Sequence, residues 1–374
     1  MQKQIRNEYE ISGELGSGGM ATVYKALQKS LDRTVAIKEL KKDYQEDPVI
    51  TQRFEREAKL AASFQHENIV HIYDYAGKPD FCIIMEFVDG VTLAQIIEKG
   101  GPLPEDVGVM IALQAANALE YAHTRGMIHR DIKPGNIMVK RNGEVKLMDF
   151  GIARTRGLEA LTAPGMVMGT PSYMSPEQIQ GQALDVRSDI FSLGIVLYQM
   201  FTGVKPFLDE ETASVTAKIL KGKFLSPRSL NSDVPRGLQR IIKKCLRKKP
   251  HRRYASMQEL ARALGKRIRG MDRPASLKRV SDYLVQAGLV ETPPADETVV
   301  IYRAPGMGTF TRALLATAAV LLLLTAGVGY YSWQKARAVR VPAPSSAPAP
   351  AIMSAPTATL LSAPTTTAPA PKFP

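Results

Sequence analysis

Cysteine is almost absent from this chain: Cys82 and Cys245 are the only two in 374 residues, and nothing pairs them in sequence. That excludes a disulfide scaffold and a cysteine zinc site, and it suits a reducing compartment. The opening segment "MQKQIRNEYEIS" lacks the apolar core of a secretory signal. Also missing is any stretch in which basic and aromatic residues alternate as an RNA platform, or any recognition-helix motif. Nucleic acid is therefore not the expected partner, although the net charge is +13. The densest basic run, "KKCLRKKPHRR" at 243–253, reads first as a solvated helix face. With "KRIRG" after it, the run also suits anionic lipid headgroups, because both precede a long apolar segment.

Alternating apolar residues in "YEISGEL", "TVYKAL" and "TVAIKEL" predict strands between residue 9 and about 40. The glycine-rich stretch "GSGG" at 16–19 therefore joins strand to strand. Dinucleotide fingerprints and P-loops both require a helix after their glycines, so both are excluded. A glycine flap folded over a nucleotide remains, with Ala21 at the position where the GxGxxG pattern has its third glycine. "RFEREAKLAASF" predicts a helix, and "HENIVHIYDYAG" and "DFCIIMEFV" predict strands. From residue 92 to about 264 helical periodicity dominates, interrupted by two short strands around the turn Asn142-Gly143. The expected class is α+β: a small β-rich lobe with one key helix, then a larger helical lobe.

Beyond residue 264 the reading is a basic juxtamembrane linker over 265–312, in which "SLKRVSDYLVQAGLV" could form a short amphipathic helix. Residues 313–332 hold about 19 consecutive uncharged, mostly apolar residues, enough to span a bilayer. Tyr330, Tyr331 and Trp333 resemble an interfacial belt at one end. Residues 333–374, rich in Ala, Pro, Ser and Thr, predict a disordered extracytoplasmic tail.

Four groups carry chemistry. Lys38 in "VAIK" shares a strand face with Ala36, which suits a flat ring beside phosphate oxygens. Glu57 falls at the edge of the apolar stripe Phe54, Ala58, Ala61, where a carboxylate needs a cation, and Lys38 is the natural candidate. "HRDIKPGN" at 129–136 concentrates polar groups on a loop that its Pro-Gly keeps out of helix. "MDFG" at 148–151 follows on the next short strand. Phosphoryl transfer from ATP needs a carboxylate near the acceptor hydroxyl, a cation near the moving group, and oxygen ligands for magnesium. Asp131, Lys133, Asn136 and Asp149 are residues of those types.

In this order and spacing these motifs resemble the protein kinase superfamily, more narrowly the bacterial eukaryotic-like (Hanks-type) serine/threonine kinases anchored by one transmembrane helix. The resemblance covers residues 9–264 and implies a bilobal fold with ATP in the cleft. By the family pattern, Leu15, Gly16, Ser17, Gly18, Gly19 and Val23 cover the nucleotide, and Ala36 and Met138 sandwich the adenine. Met85 would be the gatekeeper, with Glu86 and Val88 offering hinge backbone groups. Lys38 would hold phosphates and pair with Glu57; Asp131 would be the base, and Lys133 would neutralise the γ-phosphoryl. Asn136 and Asp149 would hold Mg2+, or Mn2+ in its place. Glu177 of "MSPE" should pair with Arg253, and Asp189 should brace the catalytic loop.

The resemblance further implies protein substrates with Ser or Thr hydroxyls, since Lys133 and "GTPSYMSPE" follow the serine/threonine pattern. It implies autophosphorylation of the activation loop, with Thr162 the best candidate and Arg130 its partner, and allows a homodimer for transfer in trans. It also implies an inner-membrane protein with a cytoplasmic kinase domain. A pseudokinase scaffold is the rival reading, but none of the lysine, base or metal residues is missing.

Overall fold

The computed structural model describes residues 7–150, 171–208 and 212–291, with side chains described in all of these except 212–214. Strands β1 (Tyr9–Ser17), β2 (Ala21–Gln28) and β3 (Arg33–Leu40) form an antiparallel meander. Strands β4 (Ile72–Ala76) and β5 (Cys82–Glu86) complete a five-stranded sheet in the order β1-β2-β3-β5-β4. The pleat sends successive side chains of β3 to opposite faces. On one face Val35 and Ile37 pack with Tyr9, Ala26, Cys82 and Ile84. On the other, Leu40 joins Ala21, Ile83, Phe54 and Ala58.

Phe54 and Ala58 belong to helix α1 (Pro48–Ala62), which lies on that second face. Its start is written in "DPVI": the Asp47 carboxylate caps the N–H groups of Val49 and Ile50, and Pro48 occupies the first turn. Thr51, Phe54, Ala58 and Ala61 form the buried stripe, and Glu57 sits beside it, half-buried.

The larger lobe is helical. Helix α2 (Leu93–Gly100) begins with a capping box between Thr92 and Gln95. Helices α3 (Glu105–His123) and α4 (Val186–Thr202) are buried on most faces and form the centre of one contiguous core. Around them stand α5 (Thr212–Lys221), α6 (Arg236–Cys245) and α7 (Met257–Gly265). A small sheet at the lobe junction joins β7 (Ile137–Lys140) to β8 (Val145–Leu147) across the turn expected at Asn142-Gly143. Its third strand, β6 (Gly90–Thr92), was not anticipated, because three residues show no periodicity.

Within 265–312, read as a linker, the structure forms the short amphipathic helix anticipated there, starting three residues ahead of "SLKRVSDYLVQAGLV". Residues Arg273–Gln286 form a helix, α8, which docks on the large lobe with Leu277, Val280 and Leu284 buried. Asp272 caps it and Pro274 sits in its first turn. The spacing of its three apolar residues gives a stripe that must be covered, and α3 covers it. Four basic residues of the linker are engaged by the protein itself. Arg267 pairs with Glu105, Arg273 with Glu67, Arg279 with Asp106, and Lys278 with Asp282. Among the described residues no helix is long and apolar enough to cross a membrane. The apolar run 313–332 and the tail 333–374 lie outside the described residues.

Candidate active site

The glycine turn between β1 and β2 is closed by the Gly18 N–H donating to the Ala21 carbonyl at 2.8 Å. Gly16 registers opposite Val23 after a bulge, and Ser17 opposite Thr22. Leu15, Gly16, Ser17, Gly18 and Gly19 are exposed. Ala21 is not: its methyl belongs to the packed cluster of Leu40, Phe54, Ala58 and Ile83. Alanine at the third glycine position therefore fills the small lobe's interior, where a glycine would leave space.

Lys38 lies on β3 opposite Val23 of β2 and Ile83 of β5, and Ala36 lies opposite Met85. The Lys38 ammonium is 3.3 Å from Glu57 Oε1 and 2.7 Å from Asp149 Oδ1. Burial alone would favour the neutral amine, but the two carboxylates outweigh it and raise the Lys38 pKa. Burial raises the pKa of Glu57, with Lys38 opposing; burial would also raise that of Asp149, but Lys38 overrides it and holds it low. The Asp149 side chain keeps 42% of its surface exposed, so this carboxylate still has a face toward solvent. Behind the trio is a small cavity lined by Val70, Ile72, Ile83, Met85, Leu147 and Phe150 among others.

The loop 129–136 is held from beneath by Asp189 in the first turn of α4. This buried carboxylate accepts from the His129 N–H at 2.8 Å, the Arg130 N–H at 2.9 Å and the His123 ring at 2.8 Å. Burial would raise its pKa, but the His123 bond and charge, with His129 close by, lower it. Arg130 has φ of 67° and Asp149 φ of 54°, left-handed values that cost a non-glycine residue about 1–3 kcal/mol. The Asp189 bond to the Arg130 N–H and the Lys38 bond to the Asp149 carboxylate hold them there.

His129 is fully buried, which lowers its pKa and keeps the ring neutral. Its Nδ1 accepts from the Asp131 N–H at 3.3 Å, so its Nε2 carries the proton and donates to the Met148 carbonyl at 3.0 Å. One ring thus ties the 129–136 loop to the residue before Asp149. The Phe150 ring packs at a tilt against His129 and also touches Phe64 beyond the end of α1. At the cleft, Lys133 Nζ lies 2.9 Å from Asp131 Oδ2. Asn136 Nδ2 donates to the Asp131 carbonyl at 2.8 Å and to Oδ2 at 3.1 Å. Met138, on β7, is half-buried.

Glu86 ends β5 and Val88 follows it; Val88 is buried, and the Glu86 N–H is already given to the His71 carbonyl at 2.8 Å. The Glu86 carboxylate pairs with Lys146 of β8 at 2.8 Å, a cross-lobe contact that sequence reasoning missed. Its signal was a lysine between Val145 and Leu147, a position that demands a partner once the strand is covered. Lower in the large lobe, Arg253 meets Glu177 through Nη1–Oε1 at 2.6 Å and Nη2–Oε2 at 2.9 Å. Its remaining N–H groups go to the carbonyls of Arg187, Arg247 and Lys248, so all five donors are used. Gln178, beside Glu177, donates to the Arg130 carbonyl at 2.9 Å. Arg130 Nε is buried with no hydrogen-bond partner among the described residues. Thr162 lies outside the described residues.

A bilobal structure with a glycine turn, a strand lysine, a helix glutamate and a carboxylate-bearing loop at the lobe junction defines a class of ATP-dependent phosphotransferases. Residues 9–263 match the family model for the protein kinase domain, and the chain belongs to that family. It is 41% identical over 259 residues to a probable serine/threonine-protein kinase of Clostridium perfringens, covering 69% of this chain and 38% of that one. Identity to the serine/threonine-protein kinase PrkC of Bacillus subtilis is 40% over 259 residues, 69% of this chain and 40% of the relative. With PknA of Corynebacterium glutamicum it is 39% over 320 residues, 83% and 66% of the two chains. The chain thus spans about two fifths of the first two relatives and about two thirds of the third. Among solved structures, the kinase domain of Mycobacterium tuberculosis PknI superposes with TM-score 0.56 at 26% identity, over 69% of this chain and 95% of that one.

Proposed function

We propose that the protein is a serine/threonine protein kinase that transfers the γ-phosphoryl group of ATP to protein hydroxyls. The observation that carries this is the convergence of Lys38, Glu57 and Asp149 within 3.3 Å, beside Asp131, Lys133 and Asn136. Lys38, held charged by two carboxylates, suits the α- and β-phosphates. Asp131, positioned by Asn136 and Lys133, suits a substrate hydroxyl whose proton it would accept as the oxygen attacks. Lys133 lies close enough to Asp131 to face the phosphoryl in flight.

The residues present fit a divalent metal of the Mg2+ kind. Asn136 commits its amide nitrogen to Asp131, which leaves the hard amide oxygen as its ligand atom, and Asp149 presents a half-exposed carboxylate. When bound, such an ion neutralises phosphate charge during transfer. A cation that completes its shell with water and nucleotide oxygens needs no more than these two protein ligands.

The restriction to serine and threonine rests on Lys133 and on the names of the relatives. A scaffold without activity is not favoured, because none of the lysine, base or metal residues is missing. Control by autophosphorylation of Thr162 is supported by the Nε of Arg130, buried and without a partner among the described residues, a donor suited to a phosphate oxygen. Membrane anchoring through 313–332, with the kinase domain on the cytoplasmic side, rests on the apolar run and on the need for ATP. Within 265–291, Lys266 and Arg269 have no ion pair among the described residues and stay available for a lipid surface. Incubation of the full chain with γ-labelled ATP, a basic protein substrate and Mg2+ tests the reaction. Label on phosphoserine and phosphothreonine is expected; label on phosphotyrosine alone, or none, would remove the assignment.

A further inference from the structure

Helix α8 begins ten residues beyond the segment that matches the kinase family, yet the kinase domain is shaped to receive it. Gly143, at φ of 85° in the β7–β8 turn, lies so close to α8 that a Cβ there would fall 2.1 Å from the Leu277 carbonyl oxygen. A Cβ on Gly100 would fall 2.8 Å from the Tyr283 hydroxyl. Position 143 accepts only glycine while the helix is docked, because the clash is with backbone at a left-handed φ; at Gly100 the Tyr283 side chain would have to move. Leu277, Val280 and Leu284 are buried, and Ser281 Oγ donates to the Arg141 carbonyl at 2.6 Å. Arg279 meets Asp106 in the first turn of α3 at 2.7 Å.

At the N-terminal end of α8, Arg273 lies 2.6 Å from Glu67 and 3.7 Å from Glu144. These two carboxylates flank the lobe junction from two separate segments. Glu67 belongs to the turn that follows α1, the helix carrying Glu57. Glu144 lies between the reversal at Asn142-Gly143 and β8, and Met148 and Asp149 follow directly after that strand. The turn after α1 and β8 are joined directly: the Val70 N–H donates to the Leu147 carbonyl at 3.0 Å, and the Leu147 N–H to the Asn68 carbonyl at 2.8 Å. Asn68 Nδ2 also donates to the Val145 carbonyl at 2.9 Å.

We infer that α8 is a working part of the catalytic domain, in which Arg273 is a positioning residue that clamps the turn after α1 to the β7–β8 hairpin. The clamp fixes the distance between Glu57 on one side and Asn136 and Asp149 on the other. The inference rests on the phosphoryl-transfer reading, and wild-type turnover in the same assay tests that reading by itself.

The test uses the full chain. Arg273 is 53% exposed, so Arg273→Gln should fold with an unchanged melting temperature. An ion pair of that exposure predicts a fall in kcat of about two- to fivefold, with KM for ATP little altered. The charge swap Glu67→Arg with Arg273→Glu should recover most of the kcat lost in Arg273→Glu alone. Leu277→Asp, which releases the helix, should lower kcat by about tenfold or more and speed hydrogen exchange in residues 64–70. Three results would each overturn the inference: wild-type kcat in Arg273→Gln, no recovery in the swap, or unchanged exchange in Leu277→Asp. Loss of kcat that only tracks a lowered melting temperature would reduce α8 to a structural prop.

Discussion

Replacing Arg253 by methionine removes the cation from a site with no route to water. The Arg253 side chain is 0% exposed and that of Glu177 5% exposed, and their contact is bidentate. The change strands the Glu177 carboxylate with Ser188 Oγ as its remaining side-chain donor, and frees three carbonyls that the guanidinium had satisfied. Breaking one side of a buried pair costs about 3–5 kcal/mol. For a lobe of this size that is a fall in melting temperature of about 6–20 °C. The pH dependence identifies the cause. In the wild type Arg253 overcomes burial and holds the Glu177 pKa below its ordinary value. Its contribution is present above the unfolded carboxylate pKa and is lost as pH falls through the folded one. Without Arg253, burial dominates and raises that pKa, so protonation of Glu177 relieves the stranded charge. The deficit measured by urea unfolding should be largest at pH 7 and shrink toward pH 4.5. The pair replaced together, Glu177→Met with Arg253→Met, should be less destabilised than the sum of the singles. A deficit under about 1 kcal/mol, or one independent of pH, would refute the reasoning, because a buried unpaired charge cannot be that cheap.

Ala21→Gly should destabilise the small lobe by about 1–2 kcal/mol, from one buried methyl and the added chain entropy, while KM for ATP stays within twofold; thermal unfolding and ATP titration check this. His129 is buried and neutral with a lowered pKa, so its contribution is present above about pH 6.5 and is lost as pH falls below it. Urea midpoints between pH 7 and 5 should show that decline, and His129→Gln should flatten it. Thr162→Ala should lower activity, and mass spectrometry of active wild-type protein should find phosphate on Thr162; an unmodified Thr162 in active protein removes that control.

The catalytic loop was legible because its chemistry is local. His129 to Asn136 lie within one turn-forming stretch, in which Pro134–Asn136 make a single 3-10 turn and no α-helix forms. The α1 stripe was legible for the same reason: Phe54, Ala58 and Ala61 repeat at helical spacing, and Glu57 stands next to them. What the sequence hid depends on contacts between distant segments. Nothing near Ala21 says that its methyl meets Phe54 and Ile83. Nothing near Glu86 announces Lys146, sixty residues away. The basic helix over 273–286 reads as a membrane-facing surface until Glu67, Asp106 and Glu144 are seen to take its charges. Periodicity gives a helix its apolar face, but only the fold says which surface covers it.

The central claim is that the geometry around Asp131 performs the transfer, and a single-turnover comparison of wild type with Asp131→Asn tests it most directly. The substitution keeps the side chain's size and its neighbours Lys133 and Asn136, so folding and ATP affinity should be retained. Removing the proton acceptor should slow transfer of the γ-phosphoryl by about 10²–10⁴-fold. If Asp131→Asn binds ATP normally and transfers phosphate at the wild-type rate, the role given to Asp131 is wrong.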